Sequence, residues 1–269
     1  MIIGIDIGST TTKAVSIEDG KLVKKIKTRA DDAITSATGA FGKLQIENGI
    51  RMSDIEKIMI TGVGSTKIEG ELFGIPTERV SEINAIGIGG MFLSGQDNII
   101  IANVGTGTAI IEACKNGITH LGGSGVGGGT ILGLAKKLIS LSDFKDVMAM
   151  ASSGNLEPVD LLLEDIMGAD LGFLNKKSTA SNFGKMLDTA RNEDIAMGLI
   201  NMVYQVIGML AVFAARSRNI NKVIVTGSGS HNPIGKKTLD DITRMHSIAF
   251  EYPKDAEYTT AVGAGLSGK

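Results

Sequence analysis

Two stretches of the chain follow one plan, and that duplication limits what the chain can fold into. Residues 2–23 read IIGIDIGSTTTKAVSIEDGKLV and residues 99–120 read IIIANVGTGTAIIEACKNGITH. Each is an apolar strand, a polar glycine turn, a β-rich strand, a glycine turn and a third strand. Such a meander leaves two apolar faces that helices must cover. Helical patterns do follow, over 32–47, 81–92, 130–141, 144–152, 160–167, 193–218, 235–246 and 259–266, with further strands at 55–61, 222–226 and 248–252. Asp31 or Asp32 is the expected cap of the first helix, with Gly49 beyond its end. Alternating strands and helices around a repeated core predict an α/β protein of two similarly built lobes. The expected division is 1–95 for the N-terminal lobe, joined by a C-terminal helix within 255–269, and 96–254 for the C-terminal lobe, which carries the long helix 193–218.

Composition narrows the partners. Lys and Arg number 27 against 29 Asp and Glu, mixed along the chain without a basic block, so no nucleic-acid partner is expected. The one cysteine, Cys114, excludes an internal disulfide framework and a multi-cysteine metal site within one chain. Its place in an apolar run makes it a small core residue. The opening MIIGIDIGST has neither a basic region nor a long apolar one and reads as a strand, which predicts a cytoplasmic protein. Residues 195–215 carry no charge and are long enough to span a membrane. They also hold Asn201, Tyr204 and Gln205 and are flanked by charges, so a buried helix that supplies a homodimer surface is expected instead, with no membrane partner.

The 36 glycines cluster beside the strand-like runs. Backbone N–H groups and small hydroxyls hold a phosphate closely, and glycine permits the tight turns that present them. Gly8 with Ser9 and Thr10, and Gly105 with Thr106, Gly107 and Thr108, are two such turns at duplicated positions. Gly127, Gly128 and Gly129 precede a helix from Thr130, whose positive end would favour an anion. Neither GxxxxGK[ST] nor a GxGxxG between a first strand and helix occurs, so a P-loop and a dinucleotide fingerprint are both excluded.

The duplicated strand–turn–strand, with Asp6 ending its first strand, resembles the actin-like, sugar-kinase and heat-shock ATPase superfold, a two-lobed ribonuclease H-like architecture. Its five motifs match GIDIGST with Lys13, the connecting helix from Asn84, NVGTGT, the adenosine motif VIVTGSG with Gly227 and Ser228, and TAVGAG. Within it, ANVGTGT, the GGSGVGGGTILGL stretch, STASNFG and the GSGSHN ending at Asn232 resemble the type II pantothenate kinases. The resemblance implies an ATP-dependent kinase acting on the hydroxyl of a small molecule, pantothenate, in the first step of coenzyme A synthesis. It implies ATP and Mg²⁺ as cofactors and Glu82 as catalytic acid/base.

Each residue also has a plainer reading. An alcohol attacking a phosphoryl group must lose its proton to a base, which suits Glu82, but an acid at a helix N-terminus also favours the dipole. Asp6 would orient Mg²⁺ through water, or hydrogen-bond a turn. Lys13 would reach the β- and γ-phosphates, or lie solvated on a strand. Thr106, His120 and Asn182 are the expected substrate contacts. His231 lies near the adenosine motif, where a turn histidine is equally at home. Pantothenate kinases of this type carry arginine where this chain has His120, a loss of fixed charge that leaves a different small alcohol open as acceptor. GIDIGSTTTKAV, TGVGS and SEINA also resemble ATPase activators of 2-hydroxyacyl-CoA dehydratases, whose cluster cysteines this chain lacks. A cluster-free ATPase or nucleotide-binding regulator is the alternative expectation.

Overall fold

The computed structural model describes residues 1–29, 32–167 and 176–268, and every structural statement concerns these. In chain order the elements are β1 (Ile2–Ile7), β2 (Thr11–Glu18), β3 (Lys21–Arg29), α1 (Ala33–Asn48), β4 (Lys57–Thr61), β5 (Thr77–Arg79) and α2 (Glu82–Ser94). The second half continues with β6 (Ile99–Val104), β7 (Thr108–Cys114), β8 (Gly117–Ser124), α3 (Gly128–Leu138), α4 (Phe144–Ala151), β9 (Leu161–Leu162), α5 (Leu163–Ile166) and β10 (Thr179–Ser181). It closes with α6 (Asn192–Ser217), β11 (Lys222–Thr226), α7 (Pro233–His246), β12 (Ala249–Glu251) and α8 (Thr259–Leu266).

The duplication extends well beyond the two meanders. One sheet has the order β3-β2-β1-β4-β5 and the other β8-β7-β6-β11-β12, the same topology read from the same edge. In each, three antiparallel strands are extended by two parallel ones, β4 and β5 or β11 and β12. The alternation in β1 sends Ile3, Ile5 and Ile7 toward Phe41 and Leu44 of α1, while Gly4 meets α8. A side chain at Gly4 would collide with the Ala261 carbonyl, so a glycine is required for the helix to lie on the strand. On the second sheet Ile100, Ala102, Val223 and Val225 pack against α6, in the largest core cluster.

Helices α2 and α8 cross between the sheets, glycine against backbone: Gly89 abuts the Thr259 carbonyl and Gly263 the Ala85 carbonyl. Their packing is exchanged. Ile86 of α2 joins Ile99, Ile101, Ile111 and Ile224 of the second sheet, whereas Ala261 and Val262 of α8 join Val15 and Ile17 of the first. A boundary at residue 95 therefore separates α2 from a sheet that it covers.

Two local expectations are corrected. The helix expected over 160–167 is one turn, Leu163–Ile166, because Asp160 is buried and Leu161–Leu162 pair with β10. Strand β8, expected over 118–121, runs on through Gly122 and Gly123, with a bulge at Leu121. Asp32 caps α1, its carboxylate accepting from the Thr35 N–H at 2.8 Å; the alternative cap, Asp31, lies outside the described residues. The α6 helix is long and apolar enough to cross a membrane, yet 13 of its 26 residues are buried within the protein.

Candidate functional site

The two glycine turns meet. Ser9 Oγ lies 2.7 Å from Thr106 Oγ1, and Thr10 Oγ1 lies 3.5 Å from the same atom, all three hydroxyls being exposed. The first turn is closed by the Gly8 N–H donating to the Thr11 carbonyl at 3.2 Å, the second by Gly105 N–H donating to the Gly107 carbonyl at 2.8 Å. Beside the first turn lies a cavity of 570 Å³, lined by Gly8, Ser9, Asp32, Val63 and Lys67 among others. It sits outside the carboxyl ends of the parallel strands β1 and β4, where ligands of open α/β sheets commonly bind.

Behind the first turn is a buried charge cluster. Asp6 and Lys13 face each other across β1 and β2, 8% and 5% exposed, with Lys13 Nζ 4.0 Å from Asp6 Oδ2. Burial pushes the Asp6 carboxyl up to about 6; Lys13 pulls it down and Glu82 pushes it up further. Burial lowers the Lys13 ammonium, opposed first by Asp6. The solvated reading of Lys13 fails, since it is buried between Asp6 of β1 and Lys27 of β3. Glu82 opens α2 and is exposed, yet nearby protein removes enough water to raise its carboxyl, with Lys13 opposing. Asp6, Lys13 and Glu82 thus share one field, although Asp6 and Glu82 lie 76 positions apart in the sequence.

The glycines before α3 lie against the second turn. Gly128 N–H donates to the Gly105 carbonyl and Gly129 N–H to the Thr106 carbonyl, both at 2.9 Å. A Cβ on Gly127 would lie 2.6 Å from the Thr106 carbonyl oxygen. The backbone they approach is the second turn itself, so the helix start braces that turn, and these two N–H groups are already committed. Thr108 is likewise committed: it is buried and donates to the Val126 carbonyl at 2.9 Å.

The remaining expected contacts are spread through the second half. Gly227 has φ 80°, and a Cβ there would lie 2.5 Å from the Val104 carbonyl oxygen; Ser228 follows in a 3₁₀ turn that ends at His231. His120 is exposed on β8 beside Gly123. Asn182 donates to Gln205 of α6 at 3.0 Å, and its own oxygen is buried without a partner. The turn holding it is pinned by the buried Asp160, which accepts from Phe183 N–H, Thr179 and Asn201. Among the described residues no side-chain hydrogen bond joins Asn182 or His120 to the two glycine turns.

One residue escaped the sequence reading. Thr61 ends β4 directly opposite Asp6, is fully buried, and its hydroxyl has no partner. The signal was present as a second repeat, TGVGS at 61–65 and TGSGS at 226–230. Among the described residues no three His, Cys, Asp or Glu side chains form a metal cage. A single buried carboxylate destabilised as an anion instead suits a cation brought in with phosphates, which is how Mg²⁺ is commonly held.

The model of the Fumble family matches residues 98–266. A protein of Bacillus cereus named Type II pantothenate kinase is 32% identical over 98% of this chain and 97% of its own. One of Staphylococcus aureus with the same name is 29% identical over the whole of both chains. Among solved structures, the activator of the 2-hydroxyisocaproyl-CoA dehydratase from Clostridium difficile, with bound ADPNP, superimposes with a TM-score of 0.70 at 20% identity. It covers 99% of this chain and 93% of that one. A ROK family glucokinase from Streptomyces griseus, in complex with glucose and AMPPNP, gives 0.60 at 14% identity over 98% and 97%.

Proposed function

The chain belongs to the type II pantothenate kinase (Fumble) family, and on that premise we propose that it transfers the γ-phosphoryl group of ATP to the hydroxyl of pantothenate. This is the first step of coenzyme A synthesis. The architecture is the actin-like ATPase fold shared with the dehydratase activator and the ROK kinases. The observation that carries the reading is the convergence of both glycine turns, through Ser9 and Thr106, in front of the Asp6–Lys13–Glu82 cluster.

In this reading the phosphates lie along the turns at Gly8 and Gly105, and the adenosine lies toward Gly227 and Ser228. Glu82 accepts the proton of the attacking hydroxyl, for which a raised carboxyl pKa is suited. Lys13 places positive charge behind the transferring group, and its own ionisation is maintained by Asp6. Asp6 is the residue to hold Mg²⁺ through water; that ion neutralises phosphate charge when bound. Gly127, Gly128 and Gly129 act through the second turn, by keeping Thr106 in place. His120 and Asn182 remain the proposed acceptor contacts.

A homodimer is proposed on α6, whose outward face exposes Val206 and Phe213. Phe213→Glu should leave a monomer in sedimentation, whereas a monomeric parent would contradict the proposal. The free Cys114 and the use of ATP fit a cytoplasmic setting. The deciding assay compares ADP release with pantothenate, pantetheine and N-acetylhexosamines. Release in proportion to added pantothenate supports the kinase; turnover indifferent to every alcohol supports a nucleotide switch like the dehydratase activators.

A further inference from the structure

Given phosphoryl transfer in this cleft, we propose that Thr61 is a positioning residue whose hydroxyl donates to the Asp6 carboxylate when nucleotide and divalent cation are bound. It thereby fixes the orientation in which Asp6 meets the cation's water shell.

Buried side-chain donors are nearly always paired, so an orphan in a strand beside the charge cluster calls for a reason. Thr61 shares its strand face with Met59, which packs against Ala85 of α2 and Ala264 of α8. Asp6 opposes Thr61 in the parallel β1–β4 register. The turn after Thr61 already touches Asp6, since a Cβ on Gly62 would lie 2.7 Å from Asp6 Oδ1. On the other side, Val80 N–H donates to the Ile60 carbonyl at 2.8 Å, bringing Ser81 and Glu82 alongside. The hydroxyl therefore sits where the strands presenting the two carboxylates come together.

The second sheet shows that the bond is within reach. Thr226 opposes Asn103 in the parallel β6–β11 register, and its hydroxyl donates to Asn103 Oδ1 at 2.9 Å. A Cβ on Gly227 would lie 2.9 Å from that same oxygen, as one on Gly62 would lie 2.7 Å from Asp6 Oδ1. The backbone registers correspond, and the two sites differ in the residue facing the threonine and in whether its hydroxyl is bonded. A threonine hydroxyl moves between staggered χ1 wells without any change of backbone, so Thr61 needs no shift of β4 to make the corresponding bond. Thr12, also buried and unpaired, does not compete for the role. It alternates with Lys13 and lies on the face of Ala14, in the core under α1, away from both carboxylates.

The test is Mn²⁺ affinity, read by electron paramagnetic resonance in the presence of a non-hydrolysable ATP analogue, for the parent protein, Thr61→Val, Thr61→Ser and Thr226→Val. Loss of a group that orients a metal-binding side chain typically costs about tenfold in affinity, and that is the loss expected for Thr61→Val. Thr61→Ser should stay within about twofold, because it keeps the donor. Thr226→Val should keep its Mn²⁺ affinity while melting at a lower temperature, since it loses a bond already formed. In turnover, Thr61→Val should lower kcat with little change in KM for the alcohol. Parent-like Mn²⁺ binding by Thr61→Val, or equal losses in the Val and Ser variants, would overturn the role of Thr61. If Thr61→Val does not fold by circular dichroism, Thr61→Ala replaces it in the same comparison, with the same two outcomes. A parent protein that binds no Mn²⁺ with the analogue would instead overturn the kinase reading on which this inference rests.

Discussion

Asp6 and Asn103 stand at matching places in the two sheets, each on the first strand and each opposite a threonine that precedes glycine. Asn103 accepts from its threonine, and opposite it on β7 is Ala109. Asp6 has an unbonded threonine, a buried lysine opposite it on β2, and a carboxyl displaced to about 6. The helices that follow differ in the same sense. Helix α2 starts with Glu82, which is exposed, while α8 starts with Thr259, buried and bonded to the Ala256 carbonyl at 2.8 Å. Duplication thus supplied one backbone twice. At the matched strand ends, the second copy pairs its threonine and asparagine with each other, and the first leaves its threonine unbonded beside a buried carboxylate, as sites of chemistry commonly do.

The largest expected effect is at Glu82. Glu82→Gln removes the base while keeping shape, and should reduce phosphoryl transfer by about 10²- to 10⁴-fold. Nucleotide affinity, measured by calorimetry, should stay within a few fold. A collapse of nucleotide binding would show that Glu82 is structural, and the two helix starts would then be equivalent in role.

Asp6→Asn makes the first sheet resemble the second, and its signature is a trade. An acid whose folded pKa lies above its unfolded one contributes destabilisation that is absent below the unfolded value and complete above the folded value. Between 3.8 and about 6 the ionised Asp6 therefore comes to cost about 3 kcal/mol. Asp6→Asn should melt higher than the parent above pH 6, match it below pH 4, and lose activity. A variant that is less stable at neutral pH would mean that Lys13 and Asp6 form a net stabilising pair. The parent's kcat/KM should fall as pH drops through about 6, because Asp6 and Glu82 are needed ionised.

The comparison also explains what was legible in the sequence. The meanders were readable because alternation, glycine turns and polar strand ends are local, and they recur at 2–23 and 99–120. Asp6, Lys13 and Glu82 were nameable one by one, since each is the right chemical type near a turn or helix start. Their shared field was not, because it depends on β1, β2 and α2 meeting. The exchange of α2 and α8 is tertiary in the same way: both are small-residue helices, and nothing local states which sheet each covers. Asp160 shows the converse failure. Its LLLEDI context reads as helix, but a buried carboxylate that gathers three donors overrides that propensity.

The glycines test the brace on the second turn, which the first turn lacks among the described residues. Gly127→Ala forces a methyl to within 2.6 Å of the Thr106 carbonyl and should cost about 1–3 kcal/mol, with a higher KM for ATP as the turn shifts. Gly39→Ala, in α1 with nothing within 4 Å, should instead add about 0.5–1 kcal/mol and leave KM alone. Opposite signs in thermal unfolding are the expected result. A Gly127→Ala variant with parent-like KM would remove the brace from the mechanism.

The smallest effect belongs to the contact that joins the two copies. Ser9 and Thr106 hydrogen-bond across the cleft at 2.7 Å, but both are exposed, so water replaces either partner readily. A bond of this kind contributes about 0.5–1.5 kcal/mol at most. Ser9→Ala should therefore barely change the melting temperature of the nucleotide-free protein. If both hydroxyls turn to the phosphates on binding, as the kinase reading requires, the same substitution should weaken ATP binding by a larger factor than it destabilises the fold. Equal, small effects on both would mean that Ser9 only latches the two turns together, and that the grip on phosphate comes from the backbone of Gly8 and Gly105.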